Sequence, residues 1–272
     1  MNKAMSTPRY SIADLLRVME RLRDPKHGCP WDLKQDFKSI VPSTLEECYE
    51  LASAIEQEDY NHVGEELGDV MFQVVFYAQL GSEQGFFNFE QVVNTLVEKL
   101  VRRHPHVFAA GEIEGVANGS VSVDDVNASW EAIKQQERSA REQHGVLADV
   151  PVALPALPRA QKLQKRAAAV GFDWHEIGSV MQKLEEELEE LRTAIGNDNA
   201  AAVREEMGDV LFSCVNLSRH LKLDAEATLR ESSSKFEQRF RAMELMAAKA
   251  ETPLHELDET ALDSLWEKAK AL

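Results

Sequence analysis

The sequence predicts an all-α protein made of two tandem helical units related by internal duplication. Three observations predict it: apolar residues recur with helical period along nearly the whole chain, alternating strand patterns are scarce, and one acidic unit occurs twice. The strings "EELGDV" at 65–70 and "EEMGDV" at 205–210 agree at five of six positions and lie 140 residues apart. With that offset held, "EECYEL" at 46–51 falls on "EELEEL" at 186–191.

Taken in order, helix-period runs cover about 11–23, 43–57, 61–83 and 89–103, then 125–143, and then 158–170, 176–195, 199–221, 224–248 and 259–271. Ser43 stands two residues before the Leu45 run and marks a helix start, as Asp198 or Asn199 does for the helix carrying the second acidic pair. Gly, Ser and acidic residues collect in "AAGEIEGVANGSVSVDD" at 109–125 and prolines in "VPVALPALP" at 150–158. The expected organisation is an N-terminal helical domain at 1–108, a linker with a bridging helix at 109–157, and a C-terminal helical domain at 158–272.

Composition narrows the function classes. A chain of 272 residues with 44% hydrophobic content buries a real core and suits two domains. Its formal charge of −17 leaves no broad basic surface for a nucleic acid polymer, although small phosphates remain open if a metal ion neutralises the site. Cys29, Cys48 and Cys214 form neither a CxxC pair nor an even set, which reads as reduced thiols in a cytoplasmic protein. "MNKAMSTPRYSIADLL" has no apolar signal core, and "VMFQVVFYAQL" at 70–80 is too short to span a bilayer, so a soluble, non-exported protein is expected. There is no phosphate-binding P-loop, dinucleotide fingerprint or nucleophile elbow.

The acidic unit carries the chemistry. Glu46, Glu47 and Glu50 share one helix face, with Leu45, Cys48, Leu51, Ala52 and Ile55 expected on the packing side. A solvated helix pairs Glu with Lys or Arg four residues on, but here those positions are Glu50, Leu51 and Ala54, and in the second copy Glu190, Leu191 and Ala194. Lys183, four residues before Glu187, is the nearby basic group. On the next helix Glu66 and Asp69 border an apolar face of Leu67, Val70, Met71, Val74 and Ala78; Glu206 and Asp209 border Met207, Val210, Leu211 and Val215. Two partly buried charges about 5 Å apart repel by roughly 3 kcal/mol at an effective dielectric near 20, so something must offset them. Gly68 and Gly208, each costing about 1 kcal/mol in a helix interior, are expected to let the two helices of each unit approach closely. If those helices are antiparallel, four carboxylates converge across each pair. With oxygen-only ligands the cation should be hard, Mg²⁺ with Mn²⁺ as a substitute rather than Zn²⁺ or iron.

EExxE, a spacer, then ExxD, twice in an all-α chain, resembles the MazG family of nucleoside triphosphate pyrophosphohydrolases. The resemblance runs through "RLRDPKHGCPWD" at 21–32, "FQVVFYAQ" at 72–79, "RRHPHVF" at 102–108, "VGFDW" at 170–174 and "KFEQRF" at 235–240. It implies Mg²⁺-dependent hydrolysis of nucleoside triphosphates to monophosphate and pyrophosphate, broad base tolerance, and a homodimer as the working unit. Carried over residue by residue, it makes Glu187, Glu190, Glu206 and Asp209 the metal ligands of the second copy and Glu47, Glu50, Glu66 and Asp69 those of the first. Glu46 and Glu186 are either groups behind the ligands or a base for the attacking water, and the catalytic group is expected among Glu186, Glu187 and Glu190.

For substrate, Lys183 stands beside the acids, and Lys235 and Arg239, four apart on one face, can grip the phosphates; Lys99 and Arg103 are their match in the first copy. The resemblance sets Trp266 near the nucleotide. Trp31 and Trp174 read as anchors of a helix start, and His104 and His106 around Pro105 as a structural turn. The C-terminal half is expected to be the main catalyst. The alternative is an N-terminal half that serves chiefly for dimerisation or binding a protein partner.

Overall fold

The computed structural model describes residues 9–116, 145–148 and 150–271, with positions 122, 123, 125, 126, 129, 130, 133 and 137 between them. The bridging helix expected at 125–143 therefore lies largely outside the described residues. The chain divides into two compact units, 1–135 and 136–272. Among the described residues both are helical, and the one β contact is an isolated bridge between Phe108 and Val116.

In the first unit α1 spans Ile12–Leu22, α2 Val41–Glu56, α3 Tyr60–Glu83 and α4 Phe89–Arg103. Capping boxes start α1 (Ser11 with Asp14) and α4 (Asn88 with Gln91), satisfying backbone N–H groups that a first turn leaves open. The helix start expected at Ser43 is corrected: α2 begins at Val41 with Pro42 in its first turn, where a missing N–H costs nothing, and Ser43 is interior. Met19, Ile40, Val75, Phe76 and Leu80 form the core, with Leu15, Leu16, Phe37, Phe72, Tyr77 and Phe89 packed on it. The loop after α1 is tied down by Arg23, which is buried. Its guanidinium donates to Glu83 at 2.8 and 2.6 Å and to the backbone oxygens of Asp32 and Gln35, and it lies over the Phe76 ring. Gly28 in that loop has no room for a side chain, since a Cβ would meet the Leu22 carbonyl oxygen at 2.4 Å.

In the second unit α5 spans Ala156–Ala168, α6 Ile177–Gly196, α7 Ala200–His220, α8 Ala225–Lys249 and α9 Glu259–Lys270. Gln161 and Gln164 of α5 bond the Leu223 and Phe212 carbonyls at 3.0 and 2.9 Å, locking α5 onto α7 and the α7–α8 turn. Asp173, in the "VGFDW" stretch, accepts from Arg219 and touches His220 at 3.0 Å. Val180, Ala194, Val210, Val215, Met243, Ala247 and Ala269 are buried.

The duplication holds to the residue at the turn of the acidic hairpins. Helices α2 and α6 end at Glu56 and Gly196, and α3 and α7 begin at Tyr60 and Ala200, each pair 140 residues apart. Glu58 and Asp198 both take left-handed φ in the turn, 56° and 50°. Asp59 and Asn199 then cap the next helix, each accepting at 3.2 Å from the N–H three residues on.

Two packing expectations are corrected. Ala78, Val210 and Val215 are buried and Leu51, Ala52 and Val70 half-buried as expected, but Leu45, Cys48 and Ile55 of α2, Leu67, Met71 and Val74 of α3 and Met207 and Leu211 of α7 are exposed, whereas Glu66, Gln73 and Glu187 are buried. Each hairpin thus turns one glutamate of its acidic face inward, Glu66 or Glu187. Gly68 and Gly208 are not sites of close approach within a unit either, for a Cβ at each would meet nothing within 4 Å.

Candidate functional site

Acids from the two helices of each hairpin meet in a carboxylate cluster in each unit. In the first, oxygens of Glu47, Glu66 and Asp69 lie within 4.8 Å of one another, Glu47 from α2 and the other two from successive turns of α3. Glu50 is outside this trio and exposed, but its charge bears on Glu47. Burial, then the charges of Asp69, Glu50 and Glu66, push the Glu47 carboxyl above its ordinary value. Glu66 is only 7% exposed. His62, one turn earlier, touches its Oε1 through Nε2 at 2.6 Å, and its Oε2 is buried with no hydrogen-bond partner.

The second cluster brings together Glu187 and Glu190 of α6 and Glu206 of α7, again within 4.8 Å; Asp209 is exposed and outside the trio. Glu187 is 6% exposed. Here Lys183 donates to Glu187 at 2.9 Å and to Glu186 at 2.8 Å, and these bonds raise the lysine pKa. Burial and the neighbouring Glu187 push the Glu190 carboxyl up.

The remaining expected residues fall on other helices. Lys235 and Arg239 lie on α8, Lys235 exposed and Arg239 half-buried with its guanidinium 5.9 Å from the Trp266 ring centre. Trp266 also meets Phe236 at 5.4 Å, and Phe236 stacks on Phe240 at 6.0 Å, so an aromatic ladder joins α8 to α9. The structure thus brings Arg239 to Trp266 rather than to a carboxylate. Lys99 and Arg103 lie on the last turns of α4, both half-buried. His104 ends α4 with Nδ1 2.6 Å from the Leu100 carbonyl oxygen and its ring against His106 and Trp130, as a structural turn would have it.

Two contributors escaped the sequence reading. His62 stands four residues before Glu66, a spacing that signals an i,i+4 contact. Phe236 and Phe240 carry the same spacing within "KFEQRF".

The clusters suit a hard divalent cation. Octahedral Mg²⁺–oxygen distances of about 2.1 Å set opposite ligand oxygens about 4.2 Å apart, close to the span observed. All donors in each trio are carboxylate oxygens, and the unpartnered Glu66 Oε2 is an acceptor that a cation would satisfy.

The family profile described as the MazG nucleotide pyrophosphohydrolase domain matches residues 35–108 and 175–243, one stretch over each acidic hairpin. The chain is similar to the nucleoside triphosphate pyrophosphohydrolase of Escherichia coli (strain K12), with 47% identity over 263 residues, 95% of this chain and 97% of that protein. It is 44% identical over 257 residues to the Thermotoga maritima protein named nucleoside triphosphate pyrophosphohydrolase/pyrophosphatase MazG, covering 94% of each. A Mycobacterium tuberculosis nucleoside triphosphate pyrophosphohydrolase is 36% identical over 191 residues, 68% of this chain and 54% of that one.

Proposed function

Because this chain belongs to the MazG nucleotide pyrophosphohydrolase family, we propose that it hydrolyses ribo- and deoxyribonucleoside triphosphates to monophosphate and pyrophosphate. The reaction is Mg²⁺-dependent, tolerant of the base, and serves the nucleotide pool of the cytoplasm. The observation that carries this reading is a carboxylate trio built around one buried glutamate, formed twice, inside the two stretches that match the family.

In the second unit Glu187, Glu190 and Glu206, joined by Asp209, would hold Mg²⁺, and Glu47, Glu50, Glu66 and Asp69 are the equivalent set in the first. Mn²⁺ would be accepted by the same oxygens. Bound there, the ion would supply charge stabilisation for a pyrophosphate leaving group and Lewis-acid activation of water. The protein's own groups do the rest. Lys183, already poised between Glu186 and Glu187, turns its ammonium to the phosphates, and Lys235 and Arg239 grip them from α8. Trp266 offers an aromatic face for the base, which tolerates any nucleobase because all have a π face. The proton of the attacking water goes to a carboxylate among Glu186, Glu187 and Glu190.

The working unit is a homodimer. Support comes from apolar residues left exposed on the outward sides of the hairpins, Leu67, Met71 and Val74 on α3 and Met207, Leu211 and Phe212 on α7, and from residues 231–238 of α8, exposed on every side. Among the described residues no helix is long and apolar enough to cross a membrane.

A second reading keeps catalysis in the C-terminal unit and leaves the N-terminal one for dimerisation or a protein partner. It is favoured by one difference: the position matching Lys183 is Ser43. Ion-exchange analysis of products from mixed triphosphates with Mg²⁺, run beside Glu187→Ala and Glu47→Ala, tests both. Monophosphate and pyrophosphate lost only in Glu187→Ala supports the confined version. Diphosphate and phosphate as products would refute the reaction.

A further inference from the structure

The two acidic hairpins share their turn geometry but differ in how the buried glutamate is satisfied. Glu187 is held by Lys183 at 2.9 Å, so its charge is already compensated. Glu66 has no such lysine. Its Oε1 is engaged by His62 at 2.6 Å, while Oε2 is buried and unpartnered on a side chain only 9% exposed. That oxygen belongs to a residue whose carboxylate lies within 4.8 Å of those of Glu47 and Asp69. An unmet acceptor among like charges attracts a cation, whereas in the other hairpin a cation would have to displace an ammonium group.

We propose that the N-terminal hairpin is a resident divalent-cation site, loaded without nucleotide through Glu66 Oε2, Glu47 and Asp69, and that the C-terminal hairpin takes its cation only together with a nucleoside triphosphate. In the C-terminal hairpin the arriving phosphates offer Lys183 alternative acceptors, which frees Glu187. The inference rests on the reading of both hairpins as cation sites. It divides them into one ion that stiffens the α2–α3 pair and one that comes and goes with substrate.

The test is titration of Mn²⁺ into the nucleotide-free, full-length chain, with free ion counted by electron paramagnetic resonance. One tight ion per chain is expected in the parent protein and in Glu206→Gln. Binding at least tenfold weaker is expected in Glu66→Gln and in Asp69→Asn; the latter alters an exposed side chain, so it guards against a folding defect in the former. A second ion is expected on adding a non-hydrolysable α,β-methylene triphosphate, and also in nucleotide-free Lys183→Met. No tight ion, two equal ions in the nucleotide-free parent, or loss in Glu206→Gln instead of Glu66→Gln would overturn the proposal. Product analysis on the same preparations separates the two readings: turnover with no nucleotide-free ion defeats this inference alone, and a resident ion without turnover defeats the proposed reaction alone.

Discussion

Neutralising the buried glutamate should have opposite consequences in the two hairpins when metal is chelated. In Glu66→Gln the repulsions from Glu47 and Asp69 disappear, and the new amide can donate to either. Carboxylate oxygens no more than 4.8 Å apart repel by about 3 kcal/mol per pair at an effective dielectric of 20. Asp69 is exposed and Glu47 half-buried, so solvent and salt reduce the net gain to about 1 kcal/mol. For a unit of this size that is roughly 3 °C in Tm. Glu187→Gln also removes two repulsions, from Glu190 and Glu206, but it strips Lys183 of the partner it holds at 2.9 Å. Its Tm should therefore stay level or fall. The assay is thermal unfolding by circular dichroism in EDTA and again in Mg²⁺, where Glu66→Gln should lose the stabilisation that the parent gains. Equal shifts in the two variants, or a fall in Glu66→Gln under EDTA, would refute the charge argument.

Four further outcomes are expected. Trp266→Ala should raise KM for triphosphates about tenfold or more with kcat little changed, because stacking is worth about 1–3 kcal/mol per base; steady-state kinetics on two different bases checks it. Gly208→Ala should stabilise the folded chain by up to about 1 kcal/mol, since its Cβ meets nothing within 4 Å, and a loss measured by urea unfolding would mean that a second copy fills the space. Arg23→Ala should cost about 1–3 kcal/mol by removing the buried guanidinium that donates to the Asp32 and Gln35 backbone oxygens and to Glu83, read as a lower urea midpoint for the N-terminal unit. Finally, Arg219 holds the Asp173 carboxyl at about 2, below the ordinary 3.8. A depressed carboxylate contributes stability above its unfolded pKa and loses it as pH falls through the folded one. Melts of the parent and Asp173→Asn should therefore converge between about pH 4 and 2, from a difference of about 1 kcal/mol after solvent screening.

Much of the fold was legible because helices declare themselves locally. Asn199 before "AAA" is a cap that acts within one turn, and the 140-residue repeat carried the hairpin turn, with Glu58 and Asp198 in the same left-handed geometry. The identities of the converging acids were legible for the same reason, since Glu66 and Asp69 one turn apart must share a face. The apolar stripe marked the packing side only in part: Ala78, Val210 and Val215 are buried as expected. Leu67 and Met71 are exposed while Glu66 and Gln73 are buried.

The sequence by itself determined which segments are helical, that one acidic hairpin is present twice, and which carboxylates lie on a common face. These are properties of neighbours three and four residues apart. Only the tertiary structure decided which face of each helix meets its partner, that Glu50 and Asp209 stand outside the tight trios, and that Glu187 has a lysine where Glu66 has an unmet oxygen. Those outcomes depend on residues far apart along the chain. Periodicity records that a helix has two unlike sides, but the burial of a side is set by what packs against it.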